Sequence, residues 1–274
     1  MTRRWKRALI ATVAAVVIVL YISPLIWLVL ASFKNRVDLF TPTPTVLFSP
    51  TISNYVEAFV NKGFTRNLIN SLVVAVFASA VALVVGVPSA YSLTRRGGRL
   101  LSAYLLGLLA ARLLPAMVLV LPLFILATKL GISGTYVAVV AAHLTFAIPF
   151  TVWMMRGFFL GVPRSLDEAA RIDGCGEFQA FFKIVLPLTR NGLVATAIFL
   201  VINSWNEFLF GLILTSRDTA TMPVALPTLL TPIGTFWGQI AAVATVTVVP
   251  VAVFAFVVQK HIVAGMTGGA LAGE

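Results

Sequence analysis

The chain has 274 residues, 59% hydrophobic and 11% charged, with a formal net charge of +11. A soluble domain carries about a quarter charged residues, so this composition excludes an ordinary water-soluble fold and requires lipid to solvate part of the surface. The basic excess is scattered between apolar runs with no basic, aromatic-interleaved soluble segment, which argues against nucleic acid and reads as a topology signal.

A membrane-spanning helix needs about 20 mostly apolar residues. Six stretches qualify: 8–33, 67–94, 100–127, 136–160, 191–214 and 237–258. The expected fold class is therefore all-α integral membrane, with six transmembrane helices. The first run follows Arg3-Arg4-Trp5-Lys6-Arg7. A cleavable signal has an apolar core of about 7–15 residues, so this longer run reads as an uncleaved first helix. Residues 1–66 make the first span and an external segment, 67–258 the core, and 259–274 a tail.

Lys and Arg concentrate on one side of these spans. That side holds Arg3, Arg4, Lys6, Arg7, Arg95, Arg96, Arg99, Arg156, Arg164, Arg171, Lys183, Arg190 and Lys260. The other holds Lys34, Arg36, Lys62, Arg66, Lys129 and Arg217. The richer side, with both termini, is expected in the cytoplasm. Segments 34–66 and 215–236 are then external and broken by prolines.

Breaks inside the spans at Gly86, Pro88, Pro115, Pro122 and Pro149 are tolerated where neighbours satisfy the freed backbone groups. Arg112 falls within the third span, where an arginine costs at least about 2.5–3.5 kcal/mol and must face protein or water. Asn203, Asn206 and Glu207 fall in the fifth, with Asn203 and Glu207 four apart on one helix face. These residues either line a pathway or act as interhelical glue, Arg112 and Glu207 pairing with each other or with a partner subunit. Tyr21, Trp27, Trp153 and Trp237 read as interfacial or packing aromatics. His143 and His261 read as structural, and the lone Cys175 supports neither a disulfide nor a zinc site. No Gly-Lys pair occurs, so no P-loop is present; no metal or cofactor site is expected.

Segment 161–190 on the cytoplasmic side is patterned differently. Ser165 and Glu168 have capping-box spacing. Asp167 and Glu168 complement the positive helix start, and Gly174 can supply the left-handed turn that ends the helix. A second short helix is expected from Glu177 to Leu186, stopping at Pro187. Ala169 and Ala170 offer a flat surface to another protein. On these signals alone, the segment is equally a connector that only joins two spans.

The order Glu168-Ala169-Ala170, Gly174, Ile184, Leu186-Pro187 resembles the EAA loop of binding-protein-dependent ABC importer permeases. Ser204-Trp205-Asn206-Glu207-Phe208-Leu209 is similar to a stretch common in carbohydrate-uptake permeases. The tail Val263-Ala264-Gly265-Met266-Thr267-Gly268-Gly269-Ala270 resembles that of maltose-type permeases, with Met266 and Gly268 as departures. The resemblance covers the chain from about Asn54 onward. It implies a type I ABC importer permease fold in a prokaryotic plasma membrane. Glu168, Ala169, Ala170, Asp173, Gly174, Ile184, Leu186 and Pro187 would couple to an ATPase. Gly265, Met266, Thr267, Gly268 and Gly269 would form an ATPase-contacting tail, too flexible to fold alone. The implied partners are a second homologous permease, a cytoplasmic ATPase dimer carrying ATP and Mg, an extracytoplasmic solute-binding protein and lipid. The implied cargo is a sugar or sugar derivative, with a glycerol phosphate derivative as the alternative. An ion-coupled secondary transporter would call for a relay of intramembrane ionisable groups beyond Arg112 and Glu207. A membrane enzyme would call for a catalytic cluster, and none stands out.

Overall fold

A computed structural model describes residues 3–41, 45, 47–96, 98–232 and 234–270. The long helices are α1 (Arg3–Ser32), α2 (Phe64–Arg95), α3 (Arg99–Leu113), α4 (Ala116–Lys129) and α5 (Tyr136–Leu160). They continue with α6 (Arg164–Ile172), α7 (Glu177–Leu188), α8 (Arg190–Trp205), α9 (Leu209–Leu214) and α10 (Trp237–Ala270). Among the described residues four helices are long and apolar enough to cross a membrane, or up to six if each bent pair counts as one span. A two-residue hairpin, β1 (Leu230–Thr231) with β2 (Gly234–Thr235), pairs antiparallel with Leu230 opposite Thr235.

Two expected spans are broken. The third divides into α3 and α4, bent by 100°. Leu114 is extended (ψ 127) because the residue before a proline is pushed out of the helical region, and Pro115 then starts α4. The fifth ends as a helix at Trp205 and resumes at Leu209. The tail differs in the opposite sense, because α10 carries the backbone through Gly265, Gly268 and Gly269 to Ala270. Each interior glycine costs about 1 kcal/mol relative to alanine, but extending an existing helix needs no new nucleus. The side chains of Met266 and Thr267 lie outside the described residues, as do residues 271–274.

Contacts group the chain into two compact units, residues 1–65 with Ala225–Pro250, and residues 66–224 with 251–274. In the first, Asn54 Nδ2 donates to the carbonyls of Ser32 (2.9 Å) and Lys34 (2.7 Å) just past the end of α1. Lys34 is 1% exposed. Its ammonium donates to the Thr45 carbonyl and lies 4.5 Å from the Trp27 ring centre. That contact gives Trp27 a specific task at the end of α1, since a cation over an indole face is attracted by the ring quadrupole.

In the second unit α2 is the central rod. Its 32 residues span about 48 Å, more than a bilayer core of about 30 Å. Ser71, Ala75, Ala78, Ala82 and Ala90 are buried along one stripe at helical spacing. Small residues there let other helices approach closely. At Gly86 a Cβ would lie 2.7 Å from Thr151 of α5. Two apolar clusters flank this stripe. One gathers Val74, Val139, Phe210 and Leu214. The other gathers Tyr91, Met155, Phe159, Phe181 and Val185 where the C-terminal ends of α2 and α5 meet α7.

Candidate functional site

The helix pair α6–α7 is built as two short amphipathic pieces turned on a glycine. α6 starts at Pro163 (φ −57, ψ 137), and no side chain caps it. Ser165 therefore lies inside the first turn, and the expected capping box with Glu168 does not form. The reason is local: Pro163 sets the helical entry two residues earlier than Ser165 would. Gly174 has φ +83, and its turn closes through Asp173 N to Ala169 O (3.0 Å) and Cys175 N to Ala170 O (2.9 Å). The left-handed turn expected of this glycine is present. α7 does not stop at Pro187. It passes through a π-helical stretch, Phe181–Val185, and ends at Leu188. Pro187 is accommodated at the start of the final turn, where a missing N–H has least to lose. α7 and α8 then bend by 79° about Thr189.

Burial sorts the residues of this pair. Glu168, Ala169, Ile172, Asp173, Gly174 and Pro187 are exposed, and Ile184 and Leu186 are half-buried. Ala170 is 3% exposed, so it packs into its own chain and is not part of a surface offered with Ala169. Three residues earlier on the same face, Asp167 is also buried. Its role as a complement to the helix start is secondary to a stronger set of contacts. Tyr91 Oη donates to Asp167 Oδ1 (2.8 Å), and Arg95 Nε lies 2.8 Å from Asp167 Oδ2, with both charged side chains 8% exposed. The Arg95 N–H is not aimed along that oxygen, so the pair is a contact of charges more than an aligned hydrogen bond. Arg95 Nη2 also donates to Val162 O (3.0 Å), and Arg164 Nη2 returns a bond to Thr94 O (3.1 Å). Arg96 pairs with Glu177 at the start of α7, and that hydrogen bond holds the Glu177 carboxyl below the usual carboxylate range. The same bond raises the Arg96 guanidinium further.

The polar residues of the third and fifth spans are arranged differently from expectation. Arg112 lies in the last turn of α3, exposed, with its guanidinium 5.5 Å from the Phe150 ring centre, and it does not meet Glu207. The break at Pro115 puts it near the end of a helix instead of in the middle of the expected third span. Glu207 sits in the gap between α8 and α9, where its carboxylate accepts the backbone N–H of Phe210 (2.9 Å) and Gly211 (3.1 Å). Its neighbour is His143, whose Nε2 is 3.3 Å away and whose Nδ1 is 2.7 Å from Ser204 Oγ. His143 is 1% exposed, so it is structural but part of a buried polar cluster. Asn203 and Asn206 are exposed and donate to carbonyls of their own helix. Because α8 ends before Glu207, Asn203 and Glu207 do not share a helical face. Among the described residues no group of three or more His, Cys, Asp or Glu could hold a metal ion.

Three comparisons place this arrangement among known proteins. The family of binding-protein-dependent transport system inner membrane components matches residues 82–268, which include α6, α7 and the fifth-span gap. A probable ABC transporter permease protein of Sinorhizobium fredii is 39% identical, with 98% of each chain covered. An arabinooligosaccharides transport system permease protein of Halalkalibacterium halodurans is 36% identical, with 91% of each covered. Among solved structures, a chain of a bacterial ABC transporter involved in the import of the acidic polysaccharide alginate superposes with a TM-score of 0.80 over 95% of this chain and 98% of its own. At 20% identity that match speaks for the fold alone.

Proposed function

Because the chain belongs to the family of binding-protein-dependent transport system inner membrane components, we propose that it is the permease subunit of an ATP-driven importer for a sugar or sugar derivative. The observation that carries this reading is the α6–α7 pair: a glycine-hinged helix hairpin with Glu168, Ala169, Asp173 and Gly174 exposed beside a buried Asp167. Such a surface suits docking in a cleft of a separate ATPase, with Ile184, Leu186 and Pro187 bracing the second helix. ATP and Mg belong to that partner. A second permease completes the pore, a binding protein delivers solute from outside, and the end of α10 around Gly265–Gly269 reaches the ATPases. The relative that handles arabino-oligosaccharides supports a carbohydrate cargo. Closure of the ATPases pushes the α6–α7 pairs and turns the pore outward, a hinge motion passed through packed contacts.

The test is co-purification of the tagged chain with an ATPase, followed by uptake of a panel of labelled mono- and oligosaccharides into vesicles. Recovery without any ATPase overturns the importer; recovery with an ATPase but no sugar uptake overturns the cargo. Orientation is tested by Arg217→Cys in a Cys175→Ser background. Labelling by an impermeant thiol reagent is expected on intact cells, and labelling only after lysis reverses the topology.

A further inference from the structure

The inner end of α2 grips the α6–α7 pair through charge. Arg95, Asp167 and Tyr91 meet away from solvent, and each side donates an arginine to the other's backbone. Apolar contacts already hold this region, with the Tyr91 and Phe181 ring centres 4.8 Å apart and Tyr91 edge-on to Phe159 at 5.8 Å. For stability alone, a buried ion pair is a poor choice, since well-packed apolar residues of similar volume do as well or better. Its distinctive effect is to fix one geometry, because breaking it leaves an uncompensated buried charge.

The outer end of the same helix is gripped as well. Asn70 Nδ2 donates to the carbonyls of Asp218 and Ala220, both at 2.9 Å. Ser71 Oγ accepts the Met222 N–H at 2.8 Å. Tyr136 Oη donates to Asn70 Oδ1 at 2.7 Å, and Arg66 pairs with Asp218. From Asn70 to Tyr91 the helix rises about 32 Å as one helical element, with Pro88 withholding a single backbone N–H near its end. One helix thus holds the α6–α7 pair at one end and segment 218–222 at the other, both by directional polar contacts.

We propose that Asp167, Arg95 and Tyr91 are positioning residues that latch α6 to α2, so that α2 carries a displacement of the helix pair to segment 218–222 across the membrane. The proposal rests on the permease reading above and deepens it. It assigns the latch to coupling, so that its loss separates ATP hydrolysis from the external signal before it unfolds the chain.

The experiment uses the complete complex, reconstituted in lipid with its ATPase and its solute-loaded binding protein. The quantity read is the ratio of stimulated to basal hydrolysis, normalised to ATPase bound. Asp167→Asn retains an acceptor for Tyr91 but removes the charge; the ratio is expected to fall by about tenfold, within the 5–150-fold span of typical coupling. Asp167→Glu, which restores the charge, should recover part of it. Tyr91→Phe removes only the hydroxyl, keeps the ring packing and gives a second route should Asp167→Asn fold poorly; a smaller fall is expected. A structural role alone predicts less assembled complex with an unchanged ratio in all three variants, and that result overturns the latch while the permease reading stands. An unsubstituted chain that recruits no ATPase overturns both.

Discussion

The turn at Gly174 separates two causes that substitution usually mixes. A Cβ built there meets nothing within 4 Å, while φ is +83. A larger residue therefore pays for backbone conformation and not for crowding, about 1–2 kcal/mol for an ordinary L-residue in the left-handed region. Asparagine visits that region more readily than alanine, and a β-branched valine least readily. The expected order of disruption is Gly174→Asn below Gly174→Ala below Gly174→Val, although Asn is larger than Ala. The direct readout is hydrogen exchange at the turn amides of Asp173 and Cys175, which donate to Ala169 and Ala170. Their protection should fall roughly 5–30-fold in Gly174→Ala, the population change that 1–2 kcal/mol produces. Pull-down of the ATPase should follow the same order. If disruption instead tracks side-chain volume, with Ala mildest, crowding against the partner governs this position and the strain argument is wrong.

Two further outcomes rest on contacts described above. In Gly192→Ala the new methyl would lie 2.3 Å from the Phe158 ring, forcing α8 and α5 apart at a cost of about 1–3 kcal/mol. Gly107→Ala, which meets nothing within 4 Å, should be neutral or stabilising; thermal unfolding in detergent compares the two, and equal effects would refute the close approach. Because the folded Glu177 carboxyl is held low by Arg96, its contribution is present at neutral pH and lost as pH falls below the ordinary carboxylate range of about 4.3. The difference in α7 amide protection between the unsubstituted chain and Glu177→Gln should therefore vanish at low pH; a difference that persists there would exclude the ion pair as its source.

How much of this was legible in the sequence depends on the range of the interaction. The span 136–160 coincides with α5, because an uninterrupted apolar run reports its own length. Gly174 was legible because a helix terminator acts on its own residue. Hydropathy could not show that Pro115 splits the third span, since the break leaves composition untouched. Ser165 had the right spacing for a cap, but spacing is silent about Pro163 starting the helix earlier. Asp167 was read from its local position alone, because its partners Tyr91 and Arg95 lie more than seventy residues away. One signal was available: Asp167 and Ala170 share a face, so whichever way one points the other must follow. The cluster of His143, Ser204 and Glu207 was hidden for the same reason, being assembled from two spans.

From Leu9 to Ile26 of α1 every side chain is exposed, and none is buried by the rest of the chain. Lying before the Trp27–Lys34 contact and outside any packed core of the chain, these side chains answer to lipid or to a partner protein. Exchange among Leu, Ile, Val and Ala there changes transfer energy slightly and repacks nothing inside the chain. This stretch should drift neutrally over generations while keeping its overall oiliness. Any position in it that resists such drift in a saturation library marks where another subunit reads the helix, so tolerance itself becomes a map of the missing partner.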